Sequence, residues 1–230
     1  MRMDLIGFHI KGAFGEGCPV CRLLKEYEED EIDTILYEHV NDPHVRAKFK
    51  ESLGLCTYHA WRTVNKAYSE PLLGPLGVSI IYEHMLSVYI ASLEEGKSAG
   101  TGECFLCSLI REKEKTTVEA FAERIDELLP DYERSGSILC RRHYDMIHSI
   151  LMEKSPEMAE ELKRVQIKKL RELNERMKSF IDKFDYRAKE GHTSDEIRAL
   201  PQAVETLKGL EVIEPLEKEK KEKRRGFPWR

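Results

Sequence analysis

Every cysteine of this 230-residue chain falls in one of four short motifs, and no other feature restricts the possible folds so tightly. Cys18-Pro-Val-Cys21 is followed, after 34 intervening residues, by Cys56-Thr-Tyr-His59. Cys104-Phe-Leu-Cys107 is followed, after 32, by Cys140-Arg-Arg-His143. Each CxxC thus has a CxxH downstream, and the whole unit recurs at a period of about 85 residues, which reads as a tandem duplication. A Leu precedes Cys56 and Cys140 alike, and glycines (Gly54 and Gly136) mark the turns before them.

Three thiolates and one neutral imidazole are a standard tetrahedral donor set for a structural zinc ion. The expectation is two such ions, one held by Cys18, Cys21, Cys56 and His59, the other by Cys104, Cys107, Cys140 and His143. Four protein ligands leave no open coordination position, which favours a structural over a catalytic metal. Arg22, Arg111, Arg141 and Arg142 are expected to surround the sulfurs and offset their negative charge. An iron–sulfur cluster with one His ligand is the alternative cofactor. Buried thiols or disulfides are a further alternative, but they explain neither the recurring His nor the odd number of thiols per unit. A thioredoxin-like CxxC needs a βαβ context that is absent, and no CxxCH haem attachment sequence occurs.

Between the motifs the apolar residues follow helical spacing. Val20, Leu23, Leu24, Tyr27, Ile32, Ile35, Leu36 and Val40 mark one helix, broken by Asn41-Asp42-Pro43. Leu109, Ile110, Val118, Phe121, Ile125, Leu128 and Leu129 mark its counterpart, which Pro130 should close. Helices are expected after each CxxH His, over 60–68 and 144–152. Long helices should follow, through Val78–Leu93 and from Pro156 to Phe184. Only Leu5–Ile10 is ambiguous, and the class is all-α. The expected organisation is a tandem duplication of a helical hairpin unit, each copy with one Cys3His site: residues 1–97, then 98–190 with a long helix. A helical appendix over 191–213 is capped by the box Thr193-Ser-Asp-Glu196, restarted by Pro201 and ended by Gly209. A basic tail covers 214–230.

Composition narrows the function classes. The net charge of −5 conceals a tail from Glu217 onward with seven Lys or Arg and three Glu, so the body is strongly acidic. That is not the footprint of a protein whose whole surface grips nucleic acid. The tail residues Lys220, Lys221, Lys223, Arg224 and Arg225 beside Phe227 and Trp229 are the candidate contact for RNA or a ribosome. Leu76–Leu93 is long enough for a membrane, but Glu83 and His84 at its centre favour a buried amphipathic helix, and no membrane partner is expected. Without a secretory signal pattern the expected location is the cytoplasm, where patterned cysteines usually bind metal. Asn and Gln number five together, against 79 Asp, Glu, Lys and Arg, the balance of a protein from a hot environment.

No Ser-His-Asp order, P-loop, GxGxxG or HExxH motif is present, and no catalytic residues are expected. The acidic run Glu26–Glu31 reads as a solvated face. Tyr58 and Trp61 read as core packing, and His9, His39, His44, His84, His148 and His192 as ordinary histidines.

The chain resembles an uncharacterised prokaryotic family, a domain of unknown function with a duplicated CxxC…CxxH motif. The matching residues are Gly12-Ala13-Phe14, Cys18-Pro-Val-Cys21, Asp42-Pro43-His-Val45-Arg46, Gly54-Leu-Cys56-Thr-Tyr-His59, the second Cys/His set and Phe184-Asp-Tyr-Arg187. The resemblance supports the metal ligands and implies no activity. The reading that follows is a non-catalytic zinc-binding helical scaffold acting through a protein or macromolecular partner. The alternatives are a nucleic-acid- or ribosome-associated factor and a redox- or metal-responsive protein, which an iron–sulfur centre would also suit.

Overall fold

The structure, a computed structural model, describes residues 5–70, 74–185 and 191–210. Among these residues it is all-helical, with ten helices and one isolated β-bridge between Gly17 and Ser137. The ambiguous N-terminal piece is helical: α1 is Leu5–Gly12. The chain continues through α2 (Pro19–Tyr37), α3 (Pro43–Glu51), α4 (Thr57–Ser69) and α5 (Leu76–Glu94). Then come α6 (Phe105–Glu123), α7 (Ile125–Arg134), α8 (Arg141–Lys154), α9 (Pro156–Asp182) and α10 (Ser194–Lys208). The basic tail, with its candidate RNA contacts Lys220 to Arg225, and the Tyr186-Arg187 end of the C-terminal motif lie outside the described residues.

Two large hydrophobic cores and a small one, where Ile138 meets Leu173 of α9 and Ala199 of α10, organise the helices. The start of α2 (Val20) packs with the end of α6 (Val118, Phe121), α7, α8 and α9 in one core. The end of α2 (Ile32, Ile35) packs with α3, α5 and the start of α6 (Leu106) in the other. The helices α2 and α6 therefore run antiparallel through the middle, and each large core draws residues from both sides of 97/98. A buried network ties the loop before α8: Tyr132 donates to Gln166, which donates to the Leu139 carbonyl at 2.8 Å, while the Leu139 amide donates to the Tyr132 hydroxyl at 2.9 Å.

Several local expectations are corrected. The second apolar series is not one helix closed by Pro130; it breaks at Arg124, and Pro130 lies inside α7. Pro201 likewise lies inside α10 rather than starting a turn, although the capping box at Thr193 and the stop at Gly209 are where expected. The Val78–Leu93 segment is a helix but not a buried one. Val78, Ile81 and Met85 of α5 are buried in the core and Tyr82 packs against it, while Leu76, Leu86, Ile90 and Leu93 are more than half exposed. The reason is that α5 is apolar around its circumference while its neighbours cover one stripe of it. Among the described residues it is the one helix long and apolar enough to cross a membrane.

Candidate metal centres

All eight predicted ligands fall into two Cys3His sets, but not the expected ones. Cys18, Cys21, Cys140 and His143 form centre 1; Cys56, His59, Cys104 and Cys107 form centre 2. Each centre takes its CxxC from one half of the chain and its CxxH from the other, so the pairing of neighbours, one site per copy, is corrected to a crossed pairing.

In each half the outgoing helix is the longer one: α2 spans 19 residues against nine in α3, and α6 spans 19 against ten in α7. The N-termini of the antiparallel α2 and α6 lie at opposite ends of the pair, and each CxxH stands beside the CxxC of the other half.

Local structure aims the side chains. Cys18, Cys56, Cys104 and Cys140 are the N-cap residues of α2, α4, α6 and α8, and the second ligand of each motif sits three residues later in the first turn. Two helix N-termini thus converge on each centre, bringing the positive ends of their dipoles to the thiolates. The approach segments are locked in pairs. At centre 1 the Ile138 amide donates to the Gly17 carbonyl at 3.0 Å and the Gly15 amide to the Ser137 hydroxyl at 2.8 Å. At centre 2 the Gly102 amide donates to the Glu51 carbonyl at 2.8 Å.

Distances between the donor atoms fit one ion per centre. In centre 1, Nδ1 of His143 is 3.3–3.4 Å from the three sulfurs, and Cys21 and Cys140 Sγ are 3.7 Å apart. In centre 2, Nδ1 of His59 is 3.2–3.5 Å from the sulfurs, and Cys56 and Cys107 Sγ are 3.7 Å apart. A tetrahedral ion bound at about 2.3 Å to sulfur and about 2.0 Å to nitrogen would separate its ligands by about 3.8 Å (S to S) and about 3.5 Å (S to N). The donor sets could each hold a metal ion.

Around each set lies a carboxylate that the sequence reading missed. Glu114, in α6, accepts from His143 Nε2 at 2.9 Å and is clamped by Arg142 through two bonds of 2.6 Å. Glu28, in α2, lies 3.2 Å from His59 Nε2 and 3.4 Å from Arg62 Nε. Both carboxylates are buried, 3% exposed for Glu28 and 7% for Glu114, so the run Glu26–Glu31 is not wholly a solvated face. A signal was present: both glutamates stand seven residues after the second Cys of their CxxC. The expected arginine shell is also corrected. Arg22 donates to the Glu16 carbonyl, Arg111 pairs with Glu103 and Arg141 with Asp145; Arg142 joins centre 1 through Glu114.

The two surroundings differ. Centre 1 is closed by α10: Glu205 accepts from the Cys18 amide at 2.7 Å, and the Leu210 amide donates to Cys21 Sγ at 3.5 Å. Gly17 has φ +76°, a backbone conformation that favours glycine, and a Cβ there would push the Glu205 carboxylate away from the Cys18 amide. All four centre 1 ligands are buried, whereas Cys56 and Cys107 are half-buried. Cys107 and His59 line a cleft of about 320 Å³, with Cys21, Glu28, Glu114 and Leu210 on its other walls, so both centres border it. Tyr58 also lines the cleft and Trp61 is 64% exposed, so these aromatics are not core packing.

Electrostatics suits a cation. Burial pushes the His59 and His143 imidazoles down, but adjacent cysteines and, at His59, Glu28 carry both up to about 10. Burial raises the Cys104 thiol, yet His59 and backbone amides hold it down at about 6. Burial and the neighbouring Cys104 push Cys107 up to about 12. At centre 1, burial and hydrogen bonds to Cys140 and Cys21 raise Cys18, while bonds from Cys18 and Cys21 depress Cys140 strongly. Without an ion, each centre is a proton-sharing cluster of thiols around a charged imidazole, and a bound metal would displace those protons.

Residues 1–213 match the model of a family described as a family of unknown function, DUF6062. The chain is also 26% identical over 209 residues to the "Uncharacterized 23.9 kDa protein in xynA 3'region" of Caldicellulosiruptor sp. (strain Rt8B.4), covering 84% of this chain and 96% of that protein. No solved structure matches the chain.

Proposed function

The chain belongs to the DUF6062 family of unknown function, and from that premise we propose that it is a non-catalytic helical scaffold stapled by two zinc ions and acting through a protein partner. The carrying observation is the completeness of both donor sets. Three thiols and one imidazole converge, and the free imidazole nitrogen faces a buried carboxylate. Nothing in that arrangement reserves a coordination position for substrate. All donor atoms of a set lie within 4.8 Å of one another, which suits a single ion better than a cluster that interposes irons and sulfides between its ligands. The exposed apolar side of α5 supports a partner. Metal analysis and an absorption spectrum of protein purified from its own host test the reading. The expected result is two zinc ions per chain and no visible colour; a brown, iron-bearing protein would overturn it.

A second reading, a thiol redox response, is favoured by one observation: Cys56 and Cys107 of centre 2 are half-buried and 3.7 Å apart. Hydrogen peroxide would take two electrons from these thiolates, form the Cys56–Cys107 disulfide, and leave as two waters after taking up two protons, freeing the ion. On peroxide titration the first equivalent of zinc should come from centre 2, with the 56–107 linkage found by peptide mapping. Zinc release without the 56–107 linkage would count against a switch.

A further inference from the structure

The carboxylates Glu28 and Glu114 are placed reciprocally. Glu28 faces His59 of centre 2, yet it rides on α2, whose first turn carries Cys18 and Cys21 of centre 1. Glu114 faces His143 of centre 1, yet it rides on α6, whose first turn carries Cys104 and Cys107 of centre 2. Seven helical residues, about 10 Å, separate each carboxylate from the second cysteine of its own helix. A carboxylate bonded to the outer nitrogen of a ligand imidazole fixes its tautomer and orientation and typically accounts for about 10–100-fold in metal affinity. Each such carboxylate here is positioned by a helix that the opposite centre anchors.

We propose that the two centres fill cooperatively, each bound ion clamping the helix that positions the other centre's histidine. The crossed ligand pairing works in the same direction, because filling either centre joins the two halves and brings the remaining CxxC and CxxH together. Such coupling is reciprocal: centre 1 must tighten centre 2 by the factor by which centre 2 tightens centre 1. The proposal rests on the metal-binding reading. A full chain that takes up no zinc would overturn both; two ions bound without coupling would overturn this proposal alone.

The test is zinc affinity of the full-length chain, measured by competition with a chelating dye. Cys104→Ser/Cys107→Ser removes centre 2, and Cys18→Ser/Cys21→Ser removes centre 1. The surviving centre should bind zinc at least tenfold more weakly than in the parent, in both variants. Glu28→Gln and Glu114→Gln should each weaken both centres, not only the one whose histidine the residue faces. Unchanged affinity of the surviving centre in both cysteine variants overturns the coupling. If those variants do not fold, native mass spectrometry of the parent at one zinc per chain decides. Two equal, independent sites give roughly half singly loaded chains. A singly loaded fraction well below half supports the proposal; a fraction at or above half that Glu28→Gln and Glu114→Gln leave unchanged overturns it.

Discussion

Replacing Cys18 and Cys140 together by serine should leave one zinc ion per chain after dialysis against a competing chelator, whereas replacing Cys18 and Cys56 should leave none. Both pairs remove two thiols from the same total, so composition predicts no difference. The crossed pairing does: Cys18 and Cys140 belong to one centre, while Cys18 and Cys56 belong to two. A centre reduced to two thiols and an imidazole must take water or the new serine as its fourth ligand and holds zinc far more weakly, so a chelator removes the ion. Had neighbouring motifs paired, the two variants would exchange results. Zinc stoichiometry of the two purified proteins, measured side by side, separates the arrangements without further structural work.

Stripping both ions should unfold most of the chain. A structural zinc contributes on the order of 10–16 kcal/mol at neutral pH, against total stabilities of about 5–15 kcal/mol for ordinary domains. Each centre joins segments that no disulfide links, since all six cysteines are free thiols. The expected result is loss of most helical circular dichroism on adding a strong chelator, and recovery on returning zinc. Retention of native helicity and melting temperature in the stripped protein would show that the cores suffice alone. Acid should act in the same direction. The Cys104 thiol, held at about 6 against an ordinary value near 9, contributes stability that is full above about 9 and is lost as the pH falls through about 6. Protons also compete with zinc for the thiolates, so zinc release should accompany the loss of helicity as the pH falls.

The crossing also defines what α10 does. From sequence it is an appendix with a good capping box. In the fold its Glu205 and the following Leu210 amide close centre 1, which makes residues nearly two hundred positions from Cys18 part of the same site. The glutamates illustrate a different kind of failure. Glu28 stands among Glu26, Glu29, Asp30 and Glu31, and in such a run burial of one member cannot be recognised from composition. Its equivalence to Glu114 at the same offset was readable, but only with the knowledge that these carboxylates face histidines of the opposite centres.

What the sequence determined by itself was the local geometry: eight candidate ligands, each at the cap or in the first turn of a helix, in a chain that is all-helical among the described residues. Those properties depend on residues a few positions apart, where donor type, capping preference and helical periodicity act directly. Which CxxC meets which CxxH was decided by the tertiary structure. It depends on the antiparallel packing of α2 against α6, which sets the two CxxC motifs at opposite ends of the helix pair. That packing places two motifs some 120 residues apart within bonding distance of one ion, while motifs separated by 34 residues remain apart.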